Sequence, residues 1–198
     1  MTDETGSLRA GVDTTRQTFN DNAPSRSLRE VLWTLVSGTL FRWVPNRFIG
    51  WRRWILRRFG ARIDGTAFVD RSVVIRFPWN LVIGPATVIH HNVVLDCMGA
   101  VSLGSGSRIS QYSHLCTRTH DYRDQKMQVL SKPIVVDDFV WVAADAYVGP
   151  GVTIGSRTIV GARSSVLHDL PSDVTAVGEP ARPMRSRRSE AMGEGRSD

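Results

Sequence analysis

One histidine stands out for its setting. His120 opens HDYRDQKMQVLSK (120–132), a charged stretch without pattern that ends at Pro133, where a regular pattern resumes. Imidazole is the side chain whose ordinary pKa suits proton transfer near neutral pH. On loop position alone the plainer reading is preferred, that of a solvent-facing histidine at the start of a loop. Cys97 and Cys116 belong to no CxxC pair and read as small buried side chains in a reducing compartment. The basic residues are lopsided, with 23 Arg against two Lys (Lys126 and Lys132) and a net charge of +6. Such a surplus invites an anionic partner: nucleic acid, a membrane surface or a phosphorylated small molecule. It is concentrated at 52–58, beside Trp51 and Trp54, and at 182–188. No helix-turn-helix, zinc finger or aromatic strand platform accompanies it, so no nucleic-acid partner is expected.

The chain that must position these groups has 198 residues, 41% hydrophobic and 22% charged. That is enough for one domain with a sizeable core, and it excludes wholesale disorder, collagen and a polytopic membrane protein. The polar N-terminus lacks the apolar core of a signal peptide. The longest apolar stretch, 31–41, is about half the roughly 20 residues a spanning helix needs. The expected location is the cytoplasm.

Four regions follow from the texture. Residues 1–24 are polar and expected to be disordered. Residues 25–60 read as a helical N-terminal segment. Ser27 and Glu30 have capping-box spacing, and Leu28, Val31, Leu32 and Leu35 share one helical face. Pro45 breaks this segment, and a second short helix through Trp51–Phe59 follows. Its arginines read as a solvated helical face with the aromatics packed on the next domain. The sharper alternative is a peripheral membrane contact through 48–59. Residues 171–198 read as a C-terminal segment with a flexible tail.

Between them, 61–170 has a period of six. From Val136 the chain reads VDDFVW, VAADAY, VGPGVT, IGSRTI, VGARSS, VLHDLP, always with Val or Ile first. The same register runs through IDGTAF and VDRSVV (63–74), IGPATV, IHHNVV and LDCMGA (83–100), and LGSGSR, ISQYSH and LCTRTH (103–120). Helices have no use for a period of six. A short strand and a tight turn make one side of a triangular coil, with the first-position aliphatic pointing inward and the small second position easing the bend. The prediction is an all-β solenoid, a left-handed parallel β-helix of about five coils. The helical segment would cap one end, and residues 120–132 would be extruded from a corner.

The runs ISQYSHLCTRTHDY (109–122), VWVAADAYVGPGVTIG (140–155), VGARSSVLHDLP (160–171) and AVGEPARPMR (176–185) resemble the hexapeptide-repeat O-acetyltransferases. The likeness is greatest to the colanic acid biosynthesis acetyltransferase branch, with the galactoside and maltose acetyltransferases as cousins. FIGWRRWILRRFGARI (48–63) and FPWNLVIG (77–84) are similar to that branch as well. The resemblance implies acetyl-CoA as cosubstrate, no metal, a sugar or glycan acceptor and a homotrimer with active sites at subunit interfaces. It implies that His120 is the catalytic base that takes the proton of a sugar hydroxyl attacking the thioester directly. His90 and Asn92 fall where cousins orient the acceptor, and ordinary corner residues are the alternative. Trp141 matches a tryptophan that lines the pantetheine groove; the alternative is coil packing at an outward position. Ala144 and Ala162 match positions that contact the cofactor. Arg182 and Arg185 match arginines that hold its phosphates, against the alternative of a solvated basic tail.

Three other functions compete with this one. An amino-sugar N-acetyltransferase would use the same fold and the same base. A γ-carbonic-anhydrase-like zinc enzyme needs a histidine pair five residues apart and a third about two coils earlier. His114 and His120 are six apart, and His91 lies little more than one coil before His114, so that spacing does not fit. A non-catalytic scaffold would show no thiol release from acetyl-CoA.

Overall fold

A computed structural model describes residues 17–19 and 27–186. Short strands stack into three parallel walls around one aliphatic core. The first wall runs through Arg62–Ile63, Leu81–Ile83, Val101–Leu103, Ile134–Val136 and Thr153–Ile154. The second holds Phe68–Val69, Val88–Ile89, Arg108–Ile109, Trp141–Val142, Ile159–Val160 and Val174–Gly178. The third holds Val74–Arg76, Val94–Asp96, His114–Cys116, Tyr147–Val148 and Ser165–Val166. Chain order visits the walls in rotation, so the molecule is a parallel β-solenoid with five complete coils. A sixth coil begins with the Ile154↔Leu170 bridge and the strand Val174–Gly178, so the solenoid runs past residue 170.

The period of six has a packing cause. First-position residues such as Ile83, Leu103, Val136 and Ile154 are stacked in register and buried, each contributing about 1.5–3 kcal/mol. Fifth positions are buried too, and are small because they share the same narrow interior: Ala67, Ser107, Ser113, Ala146 and Ser164. The bend, however, is not made at the second position. The fourth residue of the hexad takes left-handed φ, as at Ala86 (53°), Asn92 (57°), Tyr112 (65°), Asp145 (59°) and Arg163 (58°). The second position is small because the next coil lies against it. A Cβ on Gly104 would sit 2.5 Å from the Asp137 carbonyl carbon, and one on Gly155 2.5 Å from the Ser172 nitrogen.

Helix α1 (Leu28–Val36) starts where the capping box predicts: the Ser27 Oγ accepts from the Glu30 N–H at 3.3 Å. The buried side chain of α1 is Trp33, whose Nε1–H donates to the Ile75 carbonyl at 2.7 Å and whose ring packs on Phe41 and Phe59. Leu28, Val31, Leu32 and Leu35, the predicted apolar face, all point to solvent. A π-helical turn (Ser37–Phe41) and Pro45 lead into helix α2 (Ile49–Arg58), which closes the first coil with Ile55 and Leu56.

The arginines of α2 correct the sequence reading. Arg52 is fully buried and donates to the carbonyls of Val69, Val44, Pro45 and Asn46. Arg53 donates to the Ala67 carbonyl and Arg57 to that of Ile63. Ile63, Ala67 and Val69 lie in the first coil, which has no coil beneath it. Guanidinium groups satisfy carbonyls that a terminal coil would otherwise leave unpaired. Arg52 is therefore a buried structural cap rather than part of a solvated face; the partly buried Arg53 and the exposed Arg57 each give donors to the first coil, while Arg58, Trp51 and Trp54 remain outward.

Two boundaries also differ from expectation. Residues 17–19, inside the segment expected to be disordered, pair antiparallel with Val129–Ser131 of the extruded loop. Ala181–Ser186 folds back as a hairpin on Val174–Gly178. The rest of 1–24 and of the expected tail lies outside the described residues.

Candidate active site

The extruded segment is itself a hairpin. Arg118–His120 pairs antiparallel with Val129–Ser131, and His120 stands opposite Val129. The tip is closed by the Asp121 N–H donating to the Gln128 carbonyl at 2.8 Å. The exposed His120 ring places Nδ1 2.7 Å from the Met127 carbonyl oxygen. A carbonyl can only accept, so Nδ1 carries a proton, and in the neutral form of the ring the lone pair is on Nε2. A base with a fixed tautomer is what proton abstraction requires.

Trp141 lies on the outer side of the second wall, 47% exposed, with its Nε1–H donating to the Ser110 Oγ at 2.9 Å. Ser110 is a partner the sequence reading missed. It sits one coil earlier, and only the stacking of coils joins the two. Ala144 and Ala162 follow at the edge between second and third walls, one above the other, with the Arg163 N–H donating to the Ala144 carbonyl at 3.0 Å. Their small side chains leave that edge open. Arg182 is exposed on the hairpin strand added to the second wall, opposite Val177. Arg185 pairs with Thr175 through the backbone on the same strand. Trp141, Ala144, Ala162 and the two arginines thus share one wall and its edge. His90 and Asn92 sit lower on that edge; Asn92 occupies a left-handed corner, and its N–H donates to the Ser72 Oγ. His120 leaves from the opposite edge of the third wall. A single chain therefore does not bring it to the other candidates.

The third wall carries a charged cluster absent from the sequence reading. Asp96 is 2% exposed; its Oδ2 lies 2.7 Å from Arg118 and 3.7 Å from Arg76, and its Oδ1 has no hydrogen-bond partner. Beside it, burial pushes the half-buried His114 below the ordinary imidazole pKa, with Asp96 opposing the shift and Arg76 and Arg118 assisting it. His114 packs edge-on against Tyr147. Among the described residues no cluster of three or more His, Cys, Asp or Glu is arranged to hold a metal ion, and His91, His114 and His120 do not converge. Nor, among these residues, is any helix long and apolar enough to cross a membrane.

No protein-family model matches the chain. Comparison with individual proteins is more informative. A solved hexapeptide-repeat acetyltransferase of Vibrio cholerae, complexed with acetyl coenzyme A, superposes with a TM-score of 0.76 at 28% identity, covering 86% of this chain and 93% of the other. A galactoside O-acetyltransferase of Escherichia coli strain K12 is 27% identical over 137 residues, 68% of each chain. The fold is that of the hexapeptide-repeat acetyltransferases. The WcaF protein of Escherichia coli strain K12, named for acetyl transfer in colanic acid biosynthesis, is 41% identical over 161 residues, 81% of this chain and 88% of the relative. The chain belongs to the hexapeptide-repeat acetyltransferases.

Proposed function

We propose that this enzyme moves an acetyl group from acetyl-CoA to a sugar hydroxyl of an exopolysaccharide or its precursor, by direct transfer within a ternary complex. The observation that carries this reading is the His120 ring, whose Nδ1 is committed to the Met127 carbonyl. Nε2 takes the hydroxyl proton as the sugar oxygen bonds to the acetyl carbon, and returns it to the sulfur as the C–S bond breaks. Acetyl-CoA supplies the activated thioester.

The second-wall groups fit the cosubstrate: a pinned, half-exposed indole, two alanines at an open edge and an exposed guanidinium. In this reading Trp141, Ala144 and Ala162 line the pantetheine path, Arg182 and Arg185 hold the phosphates, and His90 and Asn92 help orient the acceptor. His120 lies across the third wall from this surface, which is the reason to expect a homotrimer whose neighbouring subunits complete each site.

The outward side chains of residues 28–54 support work at the inner face of an anionic membrane. Leu28, Leu32, Leu35, Trp43, Trp51 and Trp54 are exposed, and Glu30 is the only acidic residue in 27–60. The enzymatic reading is tested by incubating the protein with acetyl-CoA and a panel of glycosides. Thiol release matched by acetylated sugar is expected; no acceptor-dependent release would overturn it.

A further inference from the structure

A cavity of about 560 Å³ opens between α1 and the third wall. Its wall side presents Arg76 and Arg118, its corner side Trp79 and Met98, and its helix side Glu30 and Trp33. Both arginines face the single carboxylate of Asp96, and their side chains remain 56% and 36% exposed. Each guanidinium has five N–H donors. One carboxylate cannot employ them all, and the 3.7 Å separation from Arg76 is a charge contact rather than a hydrogen bond. The opposing acid, Glu30, is engaged at 3.2 Å by the Ser27 hydroxyl. Asp96, almost wholly buried with Oδ1 unpaired, is a positioning residue that anchors the Arg118 guanidinium through one oxygen and holds Arg76 nearby by charge alone, so neither fork is fully used.

The cavity is tied to the loop base by strand geometry. Arg118 and His120 are two apart on one extended strand, so their side chains leave the same face about 7 Å apart. A ligand held by Arg118 has the His120 ring within the length of one sugar.

We propose that this cavity is the acceptor subsite and that it selects an anionic sugar, whose carboxylate or phosphate is held by Arg76 and Arg118 while a hydroxyl faces His120. The assignment rests on the proposed role of His120, but the charge preference stands on Arg76, Arg118 and Asp96 alone. Binding of methyl glucuronide, glucose 1-phosphate and methyl glucoside to the CoA-loaded full-length protein, measured calorimetrically, separates the two. At least one anionic probe is expected to bind about tenfold or more tightly than methyl glucoside, and whichever does distinguishes carboxylate from phosphate. Arg76→Gln should reduce that preference several-fold and leave CoA affinity unchanged. Arg118→Lys, which keeps the charge facing buried Asp96 but loses the fork, should weaken anion binding while a cooperative circular dichroism melt shows the variant still folded. Equal binding of all three probes, no binding of any, or a preference that survives both substitutions would overturn the subsite. An anion preference without acetyl transfer to any sugar would instead overturn the enzymatic reading and leave the subsite standing.

Discussion

Arg52→Met is the substitution whose cost the structure allows one to work out most fully. Methionine fills much of the same volume and donates nothing. Four carbonyls lose a donor: Val69 at 3.1 Å in a fully buried bond, and Val44, Pro45 and Asn46 at 2.8, 3.3 and 3.2 Å in part-buried ones. The buried one carries the full penalty of an unsatisfied acceptor, about 1–3 kcal/mol, and the other three, which water reaches, about 0.5–1 kcal/mol each. Relief of the arginine's own desolvation, visible in its lowered pKa, offsets part of this. The net loss is about 2–4 kcal/mol, and at about 2–4 °C per kcal/mol for a chain of this size the midpoint should fall by roughly 10 °C. The assay is a circular dichroism melt, with variant and unsubstituted protein compared at one protein concentration. Hydrogen exchange at residues 61–75 should rise along with it. A fall under about 2 °C, with exchange there unchanged, would refute the capping role and reopen the lipid-facing reading of this arginine.

Other expectations follow from the same physics. Gly104→Ala drives a Cβ to 2.5 Å from the Asp137 carbonyl carbon and should destabilise by about 2 kcal/mol or more, read as a lower urea midpoint. His114 has a lowered folded-state pKa, so the unfolded chain binds more protons below about pH 6.5. The contribution of His114 is therefore complete above that pH and is lost as pH falls through the folded value, and His114→Gln should flatten this part of the stability profile. Vesicles rich in phosphatidylglycerol should retain the protein at low salt. Trp43→Ser with Leu35→Ser should release it without changing thiol release from a soluble acceptor.

What could be read without coordinates was local or periodic. The aliphatic first position announced the solenoid, because each such residue must enter the same interior. The Ser27–Glu30 spacing placed the start of α1 for an equally local reason. The bend could not be placed, since the left-handed corner is occupied by Ala86, Tyr112, Asp145 and Arg163 alike. The backbone conformation is imposed by stacking and leaves no residue signature. The arginines of α2 misled because a run of charges says nothing about a neighbouring end of unpaired carbonyls. The candidate site was legible in part. His120 showed itself by breaking the repeat, whereas the Trp141–Ser110 bond spans 31 residues and the Asp96–Arg118 pair joins successive coils. Such contacts exist only once the coils are stacked.

The central claim is that His120 removes the acceptor proton. Its most direct test is acceptor-dependent thiol release by His120→Ala beside the unsubstituted enzyme, with CoA affinity measured in both. A positioned base contributes about 10²–10⁴ in rate, so release should fall at least a hundredfold while CoA affinity stays the same. Turnover by His120→Ala at the unsubstituted rate would contradict it.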